Sequence, residues 1–333
     1  MKKSITDSGV LSLIGGTPLL RLTRLIDRPD VAFYAKMELD NPGGSIKDRT
    51  AFRILAAALD SGELLPGDTV IESSSGNMAI GLAQACRYFA LPLIVVVDPA
   101  VNRHTLKILR AYGAMIETVT EPFEVGGFLG ARLARVQALL NEIPGSFWTN
   151  QYASAENPAA HYETMREIAD ALDGDLDYLF VATSTCGTIM GCARYIRDHG
   201  LSTKLIAVDA VGSVIFGTPP ARRLIPGHGA GRPAQLLDRS LIDDVIHVDD
   251  WECVQGCRQL LAQEAILAGG SSGGAVMALQ RYRDHFRTGD RVAFIVCDRG
   301  ERYLDTIYSD DWVLAQFGEL PPPCLSAAVA AAL

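Results

Sequence analysis

The stretch TVIESSSGNMAIGLAQACRYFALPLIVVV, Thr69–Val97, decides the fold class. It opens with an apolar run, Thr69–Glu72, and passes through a short polar loop, Ser73–Gly76. It then takes helical spacing over Asn77–Phe89 and ends in a second apolar run, Leu91–Val97. Runs that are apolar without alternation belong to strands covered on both faces, the burial found in parallel sheets. Parallel neighbours need a helical crossover between them, and this stretch supplies one. Outward from it the pattern repeats. Strands are expected at Val31–Lys36, Met115–Val119, Tyr178–Ala182, Leu205–Asp209, Val245–Val248 and Val292–Cys297. Helices are expected at Lys47–Asp60, Asn102–Tyr112, Phe128–Glu142, Pro158–Leu172, Thr188–His199, Trp251–Ala265 and Gly274–Phe286. The expected class is α/β, with two open twisted, mainly parallel sheets covered by helices and ligands at the carboxyl ends of strands.

A chain of 333 residues has room for about two domains. With 48% hydrophobic and 21% charged residues it can bury a core, which argues against disordered, collagen-like and coiled-coil classes. A formal net charge of -9 gives no field to attract a phosphate backbone or an anionic bilayer, so neither nucleic acid nor membrane is an expected partner. Apolar stretches stay well short of a spanning helix. Lys2 and Lys3 lead into Thr6, Asp7 and Ser8, not into the apolar region of a secretory leader, and a cytoplasmic location is expected. Seven cysteines without a CxxC pair read as free thiols, and the scattered histidines offer no metal-ligand spacing, so no metal is expected.

Four loops carry candidate chemistry. In Asn41-Pro42-Gly43-Gly44-Ser45-Ile46-Lys47-Asp48-Arg49 a lysine opens a helix, where exposed amides and the dipole disfavour its positive charge and ease deprotonation. Lysine is scarce here, six against 24 arginines, although a plain surface lysine would show the same spacing. Ser73–Asn77 and Thr183–Thr188 each follow a strand and open a helix, an arrangement suited to a phosphate or carboxylate, or to simple capping. Gly269-Gly270-Ser271-Ser272-Gly273 matches the G-x-S-x-G elbow of hydrolases, but the last histidine, His285, lies too close behind for a triad on separate loops. A tight Gly-rich turn presenting a serine hydroxyl to a ligand is the better expectation. Arg132, after Gly126-Gly127, is a candidate anchor for phosphate or a substrate carboxylate, with a solvated helix-face arginine as the alternative. Tyr152, beside Gln151, could donate to substrate or pack in the core.

NPGGSIKDR, SSSGN, STCGT and GGSSG, in this order, resemble the fold-type II pyridoxal-phosphate enzymes of the cysteine synthase and cystathionine β-synthase group, whose fold is tryptophan synthase β-like. The likeness runs from Gly15-Gly16-Thr17-Pro18-Leu19 to Arg299–Leu304. It implies pyridoxal 5'-phosphate held covalently by Lys47, with Asn77 on its phenolic oxygen. Ser184, Thr185, Cys186, Gly187 and Thr188 would hold its phosphate, and Ser271, or less favourably Ser272, would face the ring nitrogen. It further implies that Ser74, Ser75, Gly76 and Gln151 hold the substrate carboxylate. A smaller mobile domain over 44–151, a larger cofactor-binding domain over 1–43 plus 152–320, a tail over 321–333 and a homodimer belong to the same expectation.

Two departures point within the group. Ser184 and Cys186 stand where GTGGT is common, and Met78 where a threonine is common. Glu121–Gln137, Val208–Gly217 and Asp298–Trp312 resemble the branch that joins O-phospho-L-serine to L-glutamate, the N-(2-amino-2-carboxyethyl)-L-glutamate synthases of siderophore 2,3-diaminopropionate formation. The implied enzyme is a transferase that eliminates and replaces a β-substituent, forming a carbon-nitrogen bond. A serine facing the ring nitrogen agrees with this, since a weakly protonated ring favours early loss of a β-leaving group. Cysteine synthesis from O-acetyl- or O-phosphoserine and sulfide is the alternative chemistry, and a non-catalytic cofactor-binding partner the alternative class.

Overall fold

The computed structural model describes residues 9–322. Of the expected tail, 323–333 lie outside the described residues. Contacts divide the chain into two compact units. The first comprises the chain up to Gly15 together with Asn41–Ala160, and the second Gly16–Asp40 together with His161 onward. The span 44–151 lies inside the first unit, to which the stretch ending at Gly15 is added.

The first unit holds a parallel sheet in the order β5-β4-β3-β6, formed by β3 (Val70–Ser73), β4 (Leu93–Val97), β5 (Met115–Thr118) and β6 (Phe147–Trp148). All five residues of β4 are buried. Leu93, Val95 and Val97 enter a core with Ile54, Leu55, Leu82 and Leu109, from α1 (Lys47–Ser61), α2 (Asn77–Phe89) and α3 (Arg103–Ala111). Ile94 and Val96 enter a second core with Val136 and Leu139 of α4 (Gly127–Glu142). Period-two placement between two helical layers explains why β4 is continuously apolar.

The second unit holds a six-stranded sheet in the order β1-β2-β10-β7-β8-β9. Its strands are β1 (Leu19–Leu22), β2 (Ala32–Met37), β7 (Tyr178–Ala182), β8 (Lys204–Ala210), β9 (Asp244–Val248) and β10 (Arg291–Val296). Only β1 pairs antiparallel, with β2 at the sheet edge. Phe180, Phe294, Ile206 and Val208 form a core with α7 (Asp250–Glu264) and α8 (Gly270–Tyr282). Leu179 and Val181 alternate to the opposite face and are equally buried. Further helices are α5 (Glu156–Ala171), which begins in the first unit and continues in the second, α6 (Gly187–Asp198), which packs on β7 and β8, and α9 (Asp310–Phe317).

All eight expected strands are present, within one or two residues. The spacing did not reveal β1, β6 or α9, which are too short or too exposed to carry a period. One helix needs correction. The expected start at Gly274 moves to Gly270, so Ser271 and Ser272 sit in the first turn of α8 and not in a turn preceding it. The glycines there serve contact: a Cβ on Gly273 would lie 2.1 Å from the Cys253 carbonyl oxygen, and one on Gly256 2.0 Å from that of Gly273. They let α7 and α8 touch backbone to backbone.

Candidate active site

In the first unit the four strands are parallel, so the loops after β3, β4 and β6 all leave one sheet edge. Lys47 is the first residue of α1, after the turn at Gly43-Gly44. Gly43 N–H donates to the Asp48 carboxylate at 2.5 Å, and a Cβ at Gly43 would collide with that carboxylate. The opening of α1 is further fixed by α2, whose Gly81 would place a Cβ 3.1 Å from the Lys47 carbonyl oxygen. Asn77 lies one turn N-terminal to that contact, at the start of α2. Ser75, Gly76 and Asn77 are half-buried and Ser74 is buried, its hydroxyl accepting from Gly76 N–H at 3.4 Å.

Gln151 is buried and Tyr152 half-buried, in the loop after β6. Both loops converge on a residue that sequence reading treated only as the end of a strand. Glu72, 3% exposed, accepts from Ser73 N–H at 2.8 Å through Oε1, and from the Thr149 hydroxyl and Gln151 N–H through Oε2. Burial pushes its carboxyl above the ordinary glutamate range, and outweighs the donors that pull it down. The network continues from the Gln151 carbonyl to Asn157 Nδ2 at 2.7 Å, and from Asn157 Oδ1 to the Thr50 hydroxyl, one turn into α1, at 3.2 Å. Glu72, Thr149, Asn157 and Thr50 were missed. The available signal was a carboxylate inside a run that should be doubly buried.

Arg132 is not the solvated arginine of the alternative reading. Its side chain is 15% exposed, and its Nε lies 3.3 Å from Asp98 Oδ2, at the end of β4. The structure therefore sets Arg132 at the same sheet edge as Ser74–Gly76 and Gln151, with its charge partly balanced by Asp98.

In the second unit, Thr183–Thr188 leaves the carboxyl end of β7. Thr185, Cys186, Gly187 and Thr188 are buried. Cys186 has φ 64°, the left-handed region that disfavours a Cβ, and caps α6 with its backbone turned. The Ser184 hydroxyl donates to the Gly229 carbonyl at 3.0 Å, while Gly229 N–H donates to the Thr183 carbonyl at 2.7 Å. The two serines of α8 are distinguished by their bonds. Ser272, fully buried, accepts from Cys297 N–H at 3.0 Å, which pins the start of α8 to the end of β10. Ser271, 9% exposed, has no such tie among the described residues and is the one whose hydroxyl can meet a ligand.

The helices sort by their N-caps. Side chains cap α3 (Asn102), α7 (Asp249, in a reciprocal box with Glu252) and α9 (Ser309). In α1, α2, α4, α6 and α8 the N-cap residue's own side chain makes no capping bond, although the Ser45 hydroxyl accepts from Lys47 N–H and the Thr185 hydroxyl from Gly187 N–H, both at 3.3 Å; all but α4 follow one of the four loops singled out from the sequence. Uncapped first-turn amides are donors for anions. Each unit carries groups of the kind pyridoxal phosphate needs: the first an amine at Lys47, the second amides and hydroxyls at 184–188 suited to a phosphate and a neutral hydroxyl at Ser271 suited to a ring nitrogen. Among the described residues the six cysteines are free, no group of side chains has metal-ligand clustering, and no helix is long and apolar enough to cross a membrane.

Residues 10–298 match the family model described as pyridoxal-phosphate dependent enzyme, and the chain belongs to that family. It is therefore an enzyme that uses pyridoxal phosphate, with the fold of the cysteine synthase-like members. Among curated relatives, the N-(2-amino-2-carboxyethyl)-L-glutamate synthase of Ralstonia nicotianae is 48% identical over 91% of this chain and 90% of its own. The protein of the same name from Cupriavidus metallidurans is 46% identical over 92% and 91%. Of solved structures, the Entamoeba histolytica cysteine synthase superposes with a TM-score of 0.85 at 29% identity, covering 96% of this chain and 98% of its own. The O-acetylserine dependent cystathionine beta-synthase of Helicobacter pylori gives 0.83 at 30%, covering 91% and 99%.

Proposed function

We propose that this enzyme joins O-phospho-L-serine to L-glutamate by β-replacement, giving N-(2-amino-2-carboxyethyl)-L-glutamate and phosphate. In this reading it is a cytoplasmic homodimer that supplies 2,3-diaminopropionate for a siderophore. The observation that carries the reading is the 48% identity, over nine-tenths of both chains, with a relative named for that product.

When bound, the cofactor supplies an electron sink at the amino acid's Cα. Lys47 Nζ would hold it covalently and, as a free amine, would take the Cα proton. Asn77 orients the cofactor through its amide. The 184–188 loop holds the phosphate through first-turn amides of α6 and the hydroxyls of Thr185 and Thr188. Ser271 would offer the ring nitrogen a neutral partner, one that does not favour its protonation as a carboxylate would. Ser74, Ser75, Gly76 and Gln151 grip the donor's carboxylate, on loops that Glu72 fixes from beneath. Arg132, held by Asp98, faces the donor's phosphate with a guanidinium already oriented, and Tyr152 donates to the donor beside it.

The test is mass spectrometry of products after the purified protein meets O-phospho-L-serine with an equimolar mixture of amino acids and sulfide. The glutamate adduct with stoichiometric phosphate is expected. Cysteine as the sole product would replace this reading with cysteine synthesis.

A further inference from the structure

The donor's anionic groups and the cofactor's phosphate are assigned above, but a dicarboxylate acceptor brings charge that needs a cation of its own. The second unit offers one that no role yet uses. After β8 the chain runs through a Gly-rich segment, 211–238, which leaves the sheet beside β7 and so beside the 184–188 loop. Four hydrogen bonds fasten this strap. Gly229 bridges Thr183 and Ser184 as described, Ala230 N–H donates to the Ser213 hydroxyl at 3.1 Å, and Val214 N–H donates to the Ala230 carbonyl at 2.9 Å.

Arg223 lies against that strap. Its Nη1 donates to the His228 carbonyl at 2.7 Å and would sit 2.7 Å from a Cβ at Gly229. Its Nη2 is 3.8 Å from where a Cβ on Gly231 would begin, and its Nε is buried without a hydrogen-bond partner. The backbone immediately after it is held by Asp250, whose carboxylate accepts from Leu224 N–H at 2.8 Å and Ile225 N–H at 3.2 Å. Asp250 is thus spent on backbone amides, and no carboxylate pairs with Arg223 among the described residues. A half-buried guanidinium costs desolvation that one carbonyl repays only in part. A side chain at position 229 would collide with it, and glycine stands there.

We propose that Arg223 anchors a carboxylate of the acceptor amino acid and so selects a dicarboxylate over a neutral amine. This rests on the proposed acceptor class. A guanidinium takes a carboxylate in bidentate fashion, and a site built for that bond rejects an amide at the same place, because the cation is then left unpaired.

The experiment compares L-glutamate and L-glutamine as acceptors, with O-phospho-L-serine as donor, in the parent enzyme, Arg223→Gln and Arg223→Lys. The parent should favour glutamate. Arg223→Gln should raise the glutamate KM by about 10–100-fold, the loss of a charged hydrogen bond, and erase the preference over glutamine, while the phosphoserine KM and bound cofactor stay unchanged. Arg223→Lys should recover part of the preference. Equal losses with both acceptors, or a rise in the phosphoserine KM of the same size, would make Arg223 a staple of the strap and overturn the proposal. An unchanged glutamate KM would overturn it as well. Failure of the functional reading itself looks different, since the parent would then form no glutamate adduct.

Discussion

Glu72 offers the sharpest quantitative test of the site's construction. Glu72→Ala leaves the Ser73 N–H, the Thr149 hydroxyl and the Gln151 N–H facing a void at the edge of the first sheet. Each buried group left without a partner costs about 1–3 kcal/mol. Partial rehydration through the vacated space limits the sum, so a loss on the order of 3–5 kcal/mol is expected. Glu72→Gln keeps one acceptor oxygen for the Thr149 and Gln151 donors and sets its amide against a single N–H, for about 1–3 kcal/mol. Urea unfolding followed by tryptophan fluorescence measures both, and Trp148 on β6 reports locally. The pH dependence supplies a sign. Burial raises this carboxyl in the folded protein above its ordinary value near 4.5. Above 4.5 the unfolded chain sheds a proton that the folded one retains, so parental stability falls as pH rises through that window. Glutamine has no such dependence, and the cost of Glu72→Gln should be greatest at acid pH and shrink towards neutrality. Both variants should raise the donor KM more than they lower kcat. A cost for Glu72→Ala below about 1 kcal/mol, or a Glu72→Gln cost that grows with pH, would refute the account of a buried acid holding two loops.

Other outcomes follow from the same geometry. Lys47→Ala should abolish turnover and the cofactor's visible band while the far-ultraviolet circular dichroism stays unchanged. Arg132→Ala should weaken use of O-phosphoserine more than use of O-acetylserine, by about 1.5–3 kcal/mol in kcat/KM, and equal losses would remove Arg132 from the phosphate. Ser271→Asp should protonate the ring nitrogen, slow β-replacement and shift the absorbance spectrum, whereas Ser272→Ala should lower the melting temperature by leaving the Cys297 amide unpaired. Cys186→Gly relieves a left-handed backbone but gives up a small buried side chain and loosens the unfolded chain. Its net effect on stability should stay within about 1 kcal/mol.

What the sequence disclosed follows the range over which each signal acts. The strand-helix alternation is local, and β4 announces itself because one face is covered by the helices on either side of it in sequence and the other by α4, which leaves the strand apolar throughout. Short, half-exposed β1 gives no such sign, since its place depends on β2 and on a sheet edge. Ser184–Thr188 is legible because a strand, a small-residue loop and a helix start lie consecutively. The GGSSG run misled because glycine signals a turn and a close helix contact with the same letter, and the deciding partner, Gly256, is on another helix. Glu72 and Arg223 stayed hidden for a related reason. Their partners, Thr149 and Gln151 in one case and His228 in the other, are set by tertiary folding and not by spacing.

The uneven capping of the helices bears on how the protein should be stored and assayed. An N-cap without a side-chain acceptor leaves a helix about 0.5–2 kcal/mol short of what a Ser, Asp or Asn would give, or only about a few tenths where it is glycine, as at α2, α4 and α8. Here the deficit falls on α1, α2 and α4 in the first unit and α6 and α8 in the second, while α3, α7 and α9 carry their own caps. An anion that settles on those amides does the work of the absent side chain, and by mass action it stabilises only the folded form. The melting temperature is therefore a loading gauge. It should climb with cofactor and climb again with donor, and phosphate buffer should mimic part of the first step, so preparations compared in different buffers would differ in apparent stability with no change in sequence.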